Sequence, residues 1–177
     1  ANVLPLSYIK EKYNFINVCL DEKRKTVLNT YPVLILASGP SISKNIQWLK
    51  SNHSKFITIT VSSNLHLLYE YKIKPDIIIH IDGDKNDVSR NLERVDLDFF
   101  QDSILVASLI HPDVCKMFEK NSKFMIQAIS KYYNDLGRLF SASVGEFSYA
   151  FSLLYSAKDI YLLGLDFALD PETNQSH

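Results

Sequence analysis

At 177 residues, with 46% hydrophobic and 22% charged side chains, the chain has the balance of one soluble globular domain, which excludes disorder. A domain of this length buries roughly 70% of the surface its unfolded chain exposes. The formal net charge of −1 offers no global basic field to gather nucleic acid, so no nucleic-acid partner is expected.

No apolar run reaches the roughly 18 residues that mark a membrane span, so no transmembrane segment is expected. Residues 1–5 lack the basic start and apolar stretch of a signal peptide. The chain begins with Ala and stops at His177, which suggests a piece of a longer protein. Cys19 and Cys115 match no metal-ligand spacing and read as buried thiols in a reducing compartment.

In chain order, residues 6–28 carry Leu6, Ile9, Tyr13, Ile16, Cys19 and Leu20 at helical spacing with Lys and Glu between them. This predicts an amphipathic N-terminal helical segment over 1–29, ahead of an α/β domain over 30–177. Apolar runs rich in β-branched residues then recur at 33–36, 56–61, 77–81, 104–107, 124–126 and 160–163. Several are almost unbroken, as in strands covered on both faces of a parallel sheet. Helix-like stretches fall between them at 43–51, 64–71, 112–120 and 145–156. The alternation predicts a doubly wound, mostly parallel α/β sheet.

Ligands of such sheets bind beyond the carboxyl ends of the strands. The polar residues that follow the runs are Ser38-Gly39-Pro40-Ser41, Ser62-Ser63-Asn64, Asp82-Gly83-Asp84, then Ser108 and His111, then Gly164 and Asp166. In the first turn, Gly39 permits close approach of a ligand, Pro40 fixes the bend, and Ser41 or Ser43 can cap the next helix. The free N–H groups of a helix start can hold a phosphate. The same pattern equally fits a plain strand-to-helix turn. No G-x-G-x-x-G or Walker sequence is present, which disfavours the usual dinucleotide and P-loop sites.

Asp82, Asp84, Asn86 and Glu93 match calcium-loop positions, but Asp87 stands where the loop needs Gly and a strand precedes it. The Asp82 and Asp84 pair can instead hold a divalent metal on a diphosphate, hydrogen-bond a sugar, or sit in a solvated turn. Ser143-Val144-Gly145 opens a helix, and Gly145 again allows close approach. Tyr132 and Tyr133 precede it on a loop. The histidines form no H-x-x-H pattern, so no zinc site is expected; His80, inside a strand, reads as a core residue.

Together, residues 32–42, the stretch from Ile73-Lys74-Pro75-Asp76-Ile77 to Asp82, Ser143-Val144-Gly145, and Ile160 to Phe167 resemble the central domain of the motility accessory factor (Maf) proteins. They are also similar to bacterial sialyltransferases, with their Gly-Pro-Ser turn, Ser-Gly helix start and Gly-(Ile/Leu)-Asp-Phe strand end. The resemblance covers about residues 30–177. It implies a Rossmann-like GT-A variant fold and a cytoplasmic glycosyltransferase with a CMP-activated nonulosonic acid as donor, of sialic, pseudaminic or legionaminic type. The implied acceptor is a protein such as flagellin, through Ser or Thr. Carried over, Ser38, Gly39, Pro40 and Ser41 would meet phosphate or ribose, and Ser62, Ser63 or Asn64 would read the nucleotide. Ser143, Val144 and Gly145 would present backbone to cytosine or phosphate, and Asp82 and Asp84 would be sugar or structural ligands. Asp166 would shape the catalytic site, and His177 would be a general base or partner of the leaving phosphate. Sialyltransferases of this type carry Asn where this chain has Ser38, and need no metal or other cofactor. The domain also resembles enzymes that transfer pyrophosphate from ATP to a hydroxymethylpterin, for which Asp82 and Asp84 would hold magnesium. A nucleotide-binding domain without chemistry is the third reading.

Overall fold

The computed structural model describes residues 6–19, 26–81, 92, 95–108, 110–128, 131–166 and 172. The helix expected at the start is short. α1 (Leu6–Lys12) gives way to the edge strand β1 (Asn14–Phe15), and a 3-10 turn follows at Val27–Asn29. Asn14 and Phe15 pair with Phe124 and Met125; Ile9 and Tyr13 are buried on one face of the sheet and Ile16 on the other. Sheet pairing and burial thus override the helical spacing beyond Lys12. Cys115 is buried as expected, whereas Cys19 is exposed.

The predicted strands form where the apolar runs lie: β2 (Val33–Leu36), β3 (Ile57–Val61), β4 (Ile77–His80), β5 (Ile104–Ala107), β6 (Lys123–Met125) and β7 (Ile160–Leu163). The helix expected at 43–51 is two, α2 (Ser41–Lys44) and α3 (Ile46–Asn52), broken at Asn45. There the Asn45 side chain donates to the Ser41 carbonyl and competes with the helical ladder. The further α-helices whose bounds lie among the described residues are α4 (Leu65–Glu70), α5 (Pro112–Met117) and α6 (Val144–Leu154). All pairings are parallel, in the order β1-β6-β5-β4-β3-β2-β7. The fold is α/β, as the alternating pattern predicts.

Each central strand is buried on both sides, which is why its sequence shows no polar alternation. Leu34, Leu36, Ile78 and Leu105 face a layer holding Ile9, Ile42, Leu49, Leu68 and Val114. Val33, Ile35, Ile79 and Val106 face the other, where α6 supplies Phe147 and Phe151. Two polar links tie neighbouring strands on the first layer's side. The Asp76 carboxylate accepts from Thr58 N (2.7 Å) and Thr58 Oγ1 (2.8 Å), tying the start of β4 to β3. Ser62 Oγ lies 2.9 Å from His80 Nδ1, so His80 is a core residue with a partner.

α1 is anchored by sulfur as well as by packing. The Tyr13 hydroxyl lies 2.9 Å from Cys115 Sγ, and Cys115 Sγ lies 3.6 Å from the Tyr8 hydroxyl. The hydrogen bond with Cys115, with burial second, pushes the Tyr8 phenol up to about 12. Burial, with the Cys115 contact second, raises that of Tyr13 further. Phenols harder to ionise when folded contribute stability that is complete below the unfolded value of about 10 and is lost as pH climbs toward the folded value. The urea midpoint is therefore expected to fall between pH 9 and pH 11.5, and Tyr13→Phe should flatten that fall. An unchanged slope in the variant would show that the cluster does not carry it.

Candidate functional site

β2 to β6 are laid down outward from β2 in one direction, and β7 returns to its other flank. The strand order therefore reverses between β2 and β7, and a crevice opens beyond the carboxyl ends at such a point. The registers level the three strands around it: Leu36 pairs with Thr60 on one side and with Leu163 on the other. The Ser38–Ser41 turn, the Ser62–Asn64 turn and the Gly164–Asp166 segment consequently emerge at one edge.

Between the first and last of these lies a closed set of hydrogen bonds. Gly39 N donates to the Gly164 carbonyl (2.6 Å), and Gly164 N donates to Ser41 Oγ (2.9 Å). Ser41 Oγ donates to Asp166 Oδ1 and Ser41 N to Asp166 Oδ2, both at 2.7 Å. The residue before α2 is Pro40, which makes no capping bond through its side chain. The first turn is capped by a carboxylate 125 residues away, where the sequence suggested Ser41 or Ser43. Gly39 is required for this: a Cβ there would stand 2.6 Å from both Asp166 Oδ2 and the Gly164 carbonyl. Gly164 itself has φ +79, a region side chains avoid, and its missing Cβ leaves room for the Ala37 carbonyl.

α6 begins beside this clasp. A Cβ on Gly145 would overlap Leu165 and lie 3.5 Å from Ala37 Cβ, so the helix start packs directly onto the ends of β2 and β7. Ser143 caps α6 by accepting from Glu146 N, and Glu146 Oε2 accepts from Ala142 N, a reciprocal pair. On the far side of β2, Asn64 is fully buried and its Nδ2 donates to the Leu36 carbonyl (3.0 Å). Its Oδ1 is buried without a hydrogen-bond partner, at a cost of about 1–3 kcal/mol. Ser62 is engaged with His80, while Ser38, Ser63, Pro40 and Val144 are half-buried along the same edge. His111 caps α5, its Nδ1 accepting from Asp113 N. Thus Ser38, Gly39, Pro40, Ser41, Ser143, Val144, Gly145 and Asp166 come together at the reversal, with Ser62, Ser63 and Asn64 one strand away. Asp82, Asp84 and His177 lie outside the described residues.

Gln127 escaped the sequence reading. It is fully buried just beyond β6, accepts from Tyr132 N (2.7 Å) and Tyr133 N (2.6 Å), and donates to the carbonyls of Tyr133 (3.0 Å) and Gly137 (2.7 Å). It thereby holds the connection that carries the chain from β6 to α6. A lone Gln after a strand gives no sequence signal; only its burial reveals the role. Two clefts of about 280 and 360 Å³ lie on the α6 side and around the amino ends of β3 to β5. Neither touches a residue of the clasp. Among the described residues, no group of three or more acidic, His or Cys side chains is placed to hold a metal, and no helix is long and apolar enough to cross a membrane.

Removing the carboxylate tests the clasp. Asp166→Ala leaves Ser41 N and Oγ without their acceptor, and a lost hydrogen bond of this charged kind costs about 1.5–3 kcal/mol. Since Asp166 is exposed and water replaces part of it, the unfolding free energy should drop by the lower end of that range, read as a lower denaturation midpoint. An unchanged midpoint would show that the turn holds without it.

Among solved structures, the chain is similar to a Maf glycosyltransferase from Magnetospirillum magneticum AMB-1, with 19% identity and a TM-score of 0.70. The match covers 90% of this chain and 26% of that one, so the chain spans about a quarter of the length of that protein. No curated protein sequence matches the chain. The family model described as 6-hydroxymethylpterin diphosphokinase MptE-like matches residues 6–172, and the chain belongs to this MptE-like family.

Proposed function

We propose that the chain is the donor-binding domain of a glycosyltransferase, with a CMP-activated nonulosonic acid as donor and a protein hydroxyl, such as that of a flagellin Ser or Thr, as acceptor. The observation that carries this reading is the charge at the strand reversal. The described side chains that come together there (Ser38, Ser41, Ser143, Asp166, with Ser62, Ser63 and Asn64 beside them) are hydroxyls, one amide and one carboxylate. A donor of this class carries two single charges, one on its phosphodiester and one on the sugar carboxylate, which hydroxyls and backbone N–H groups can hold. A nucleoside triphosphate brings several charges and calls for a magnesium ion or basic side chains. The fold shared with a Maf glycosyltransferase supports the same class.

In the proposed reaction the acceptor hydroxyl oxygen bonds to the anomeric carbon. The bond from that carbon to the phosphate oxygen breaks, its electron pair leaves with CMP, and the hydroxyl proton passes to a base. On sequence grounds that base is His177, with an imidazole suited to the task near neutral pH. Asp166 acts one step back, by holding the Ser41 turn. No metal enters these steps, and the cytoplasm, where the nucleotide-activated sugar is made, is the expected location. Residues 30–177 form the proposed donor domain, with 1–29 as its N-terminal extension.

The family description favours a second reading, transfer of pyrophosphate from ATP to 6-hydroxymethylpterin. That chemistry needs magnesium, with Asp82 and Asp84 the candidates to hold it.

Calorimetric titration with CMP and with ATP, each with and without magnesium, separates the two. Metal-independent CMP binding, weakened about tenfold by Ser41→Ala because the turn loses the hydroxyl that ties it to Asp166 and Gly164, is the expected result. ATP binding that requires magnesium, with no response to CMP, would replace the transferase by the diphosphokinase. Binding of neither would overturn both.

A further inference from the structure

The two edges of the sheet are unlike. β1 is two residues long, and so short an edge strand offers little to pair with. β7 is four residues long and wholly apolar, without a charge or a proline, and β2 is its one neighbour in the strand order. Val33 N donates to the Asp159 carbonyl and Ala37 N to the Leu163 carbonyl, both at 2.8 Å, so residues 159, 161 and 163 turn their peptide groups toward β2. In a parallel ladder successive residues bond to opposite sides. The N–H and C=O groups of Ile160 and Leu162 therefore point outward, and among the described residues none is paired with another backbone group.

Apolar side chains flank this edge on both faces. Tyr161 is 53% exposed on the face that holds Leu34. Its ring meets that of Phe56 (centroids 5.4 Å), which meets Trp48 of α3 (6.2 Å). Leu162, 49% exposed, stands on the opposite face with Ile35. Folded proteins commonly guard an edge with charge, proline or a bulge. Here the edge is open, with packing surface on either side.

The edge also leads to the crevice. Gly164, next after Leu163, accepts from Gly39 N and donates to Ser41 Oγ, and Asp166 follows two residues on. A strand added to β7 lies about 4.8 Å from it, so its end stands one strand spacing from the clasp.

We propose that the outer edge of β7 docks an extended, β-branched segment of the acceptor polypeptide as an added strand, which brings a Ser or Thr hydroxyl to the crevice. The inference rests on the donor-site reading above and adds how the acceptor is held. In strand addition the backbone hydrogen bonds supply affinity, and side-chain contacts on the two faces supply selectivity. A second copy of the chain fits this edge less well. Four residues span about 13 Å, and contact over that length falls short of the roughly 1,200–2,000 Å² that stable pairs of proteins bury. A transferase must also release its product, which a short edge allows.

The test titrates the whole chain with a labelled synthetic peptide of alternating Val and Thr, with Lys at both ends for solubility and Ser beside one of them. Binding is followed by fluorescence anisotropy and by the emission of Trp48, the single tryptophan. The peptide is expected to bind and to shift that emission, and the same peptide N-methylated at every Val and Thr is expected not to bind. Leu162→Pro removes an outward N–H and no bond to β2, and Leu162→Lys sets a charge on the edge. Each should raise the Kd for the peptide about tenfold and leave that for CMP unchanged. If the N-methylated peptide binds equally, or both Leu162 variants bind the peptide as the unmodified chain does, the inference fails and the donor-site reading stands. The same holds if the unmodified chain binds CMP but not the peptide. A dimer in sedimentation that Leu162→Pro dissociates would assign the edge to a second copy and overturn the inference. Peptide binding by a chain that binds no CMP would overturn the donor-site reading and, with it, delivery to the crevice.

Discussion

The pairing of β7 with β2 governs the arrangement of this molecule. Until β7 returns, strands are added on one side of β2 only, and a sheet built so has no reversal and no crevice. The return leaves β2 flanked on both sides in one common register, so that residues far apart in sequence reach the same level. It also forces the chain to travel from the end of β6 across the sheet, which brings the start of α6 to the same edge. Gly39, Ser41, Gly145, Gly164 and Asp166 meet because of this one crossing.

At the meeting point the chain places a negative group where anions are commonly bound. The first N–H and the hydroxyl of α2 are both directed at Asp166, so the best local donors for a phosphate are already in use. An anion entering here meets a fixed carboxylate, so a ligand held at this turn draws its hydrogen bonds from other groups along the edge.

Much of this was legible in the sequence, and the limits have physical causes. β2 to β7 announce themselves as apolar runs because both faces are covered. The turns that follow them announce themselves as polar because strand ends meet solvent. α1 was misjudged because Ile9, Tyr13 and Ile16 suit a helical stripe and also suit a helix followed by an edge strand; only the pairing with Phe124 and Met125 decides. At Gly39 and Gly145 the sequence points to close approach of a ligand. Asp166 and Leu165 of the chain itself fill those spaces. Local patterning suggested a serine cap at Ser41 because it cannot see a partner 125 residues ahead. Gln127 was invisible for the same reason, as its partners become neighbours only when the loop closes.

Asn64 and Gln127 show how the edge divides its tasks. Both are buried amides just beyond a strand, and burial of an amide demands partners for each end. Gln127 finds them all within one loop and so acts as framework, fixing backbone that would otherwise wander. Asn64 satisfies its NH2 on the Leu36 carbonyl and leaves its oxygen buried without a partner. That acceptor lies one strand from the reversal, at the edge where the crevice opens, whereas the Gln127 amide is spent wholly on the loop it holds.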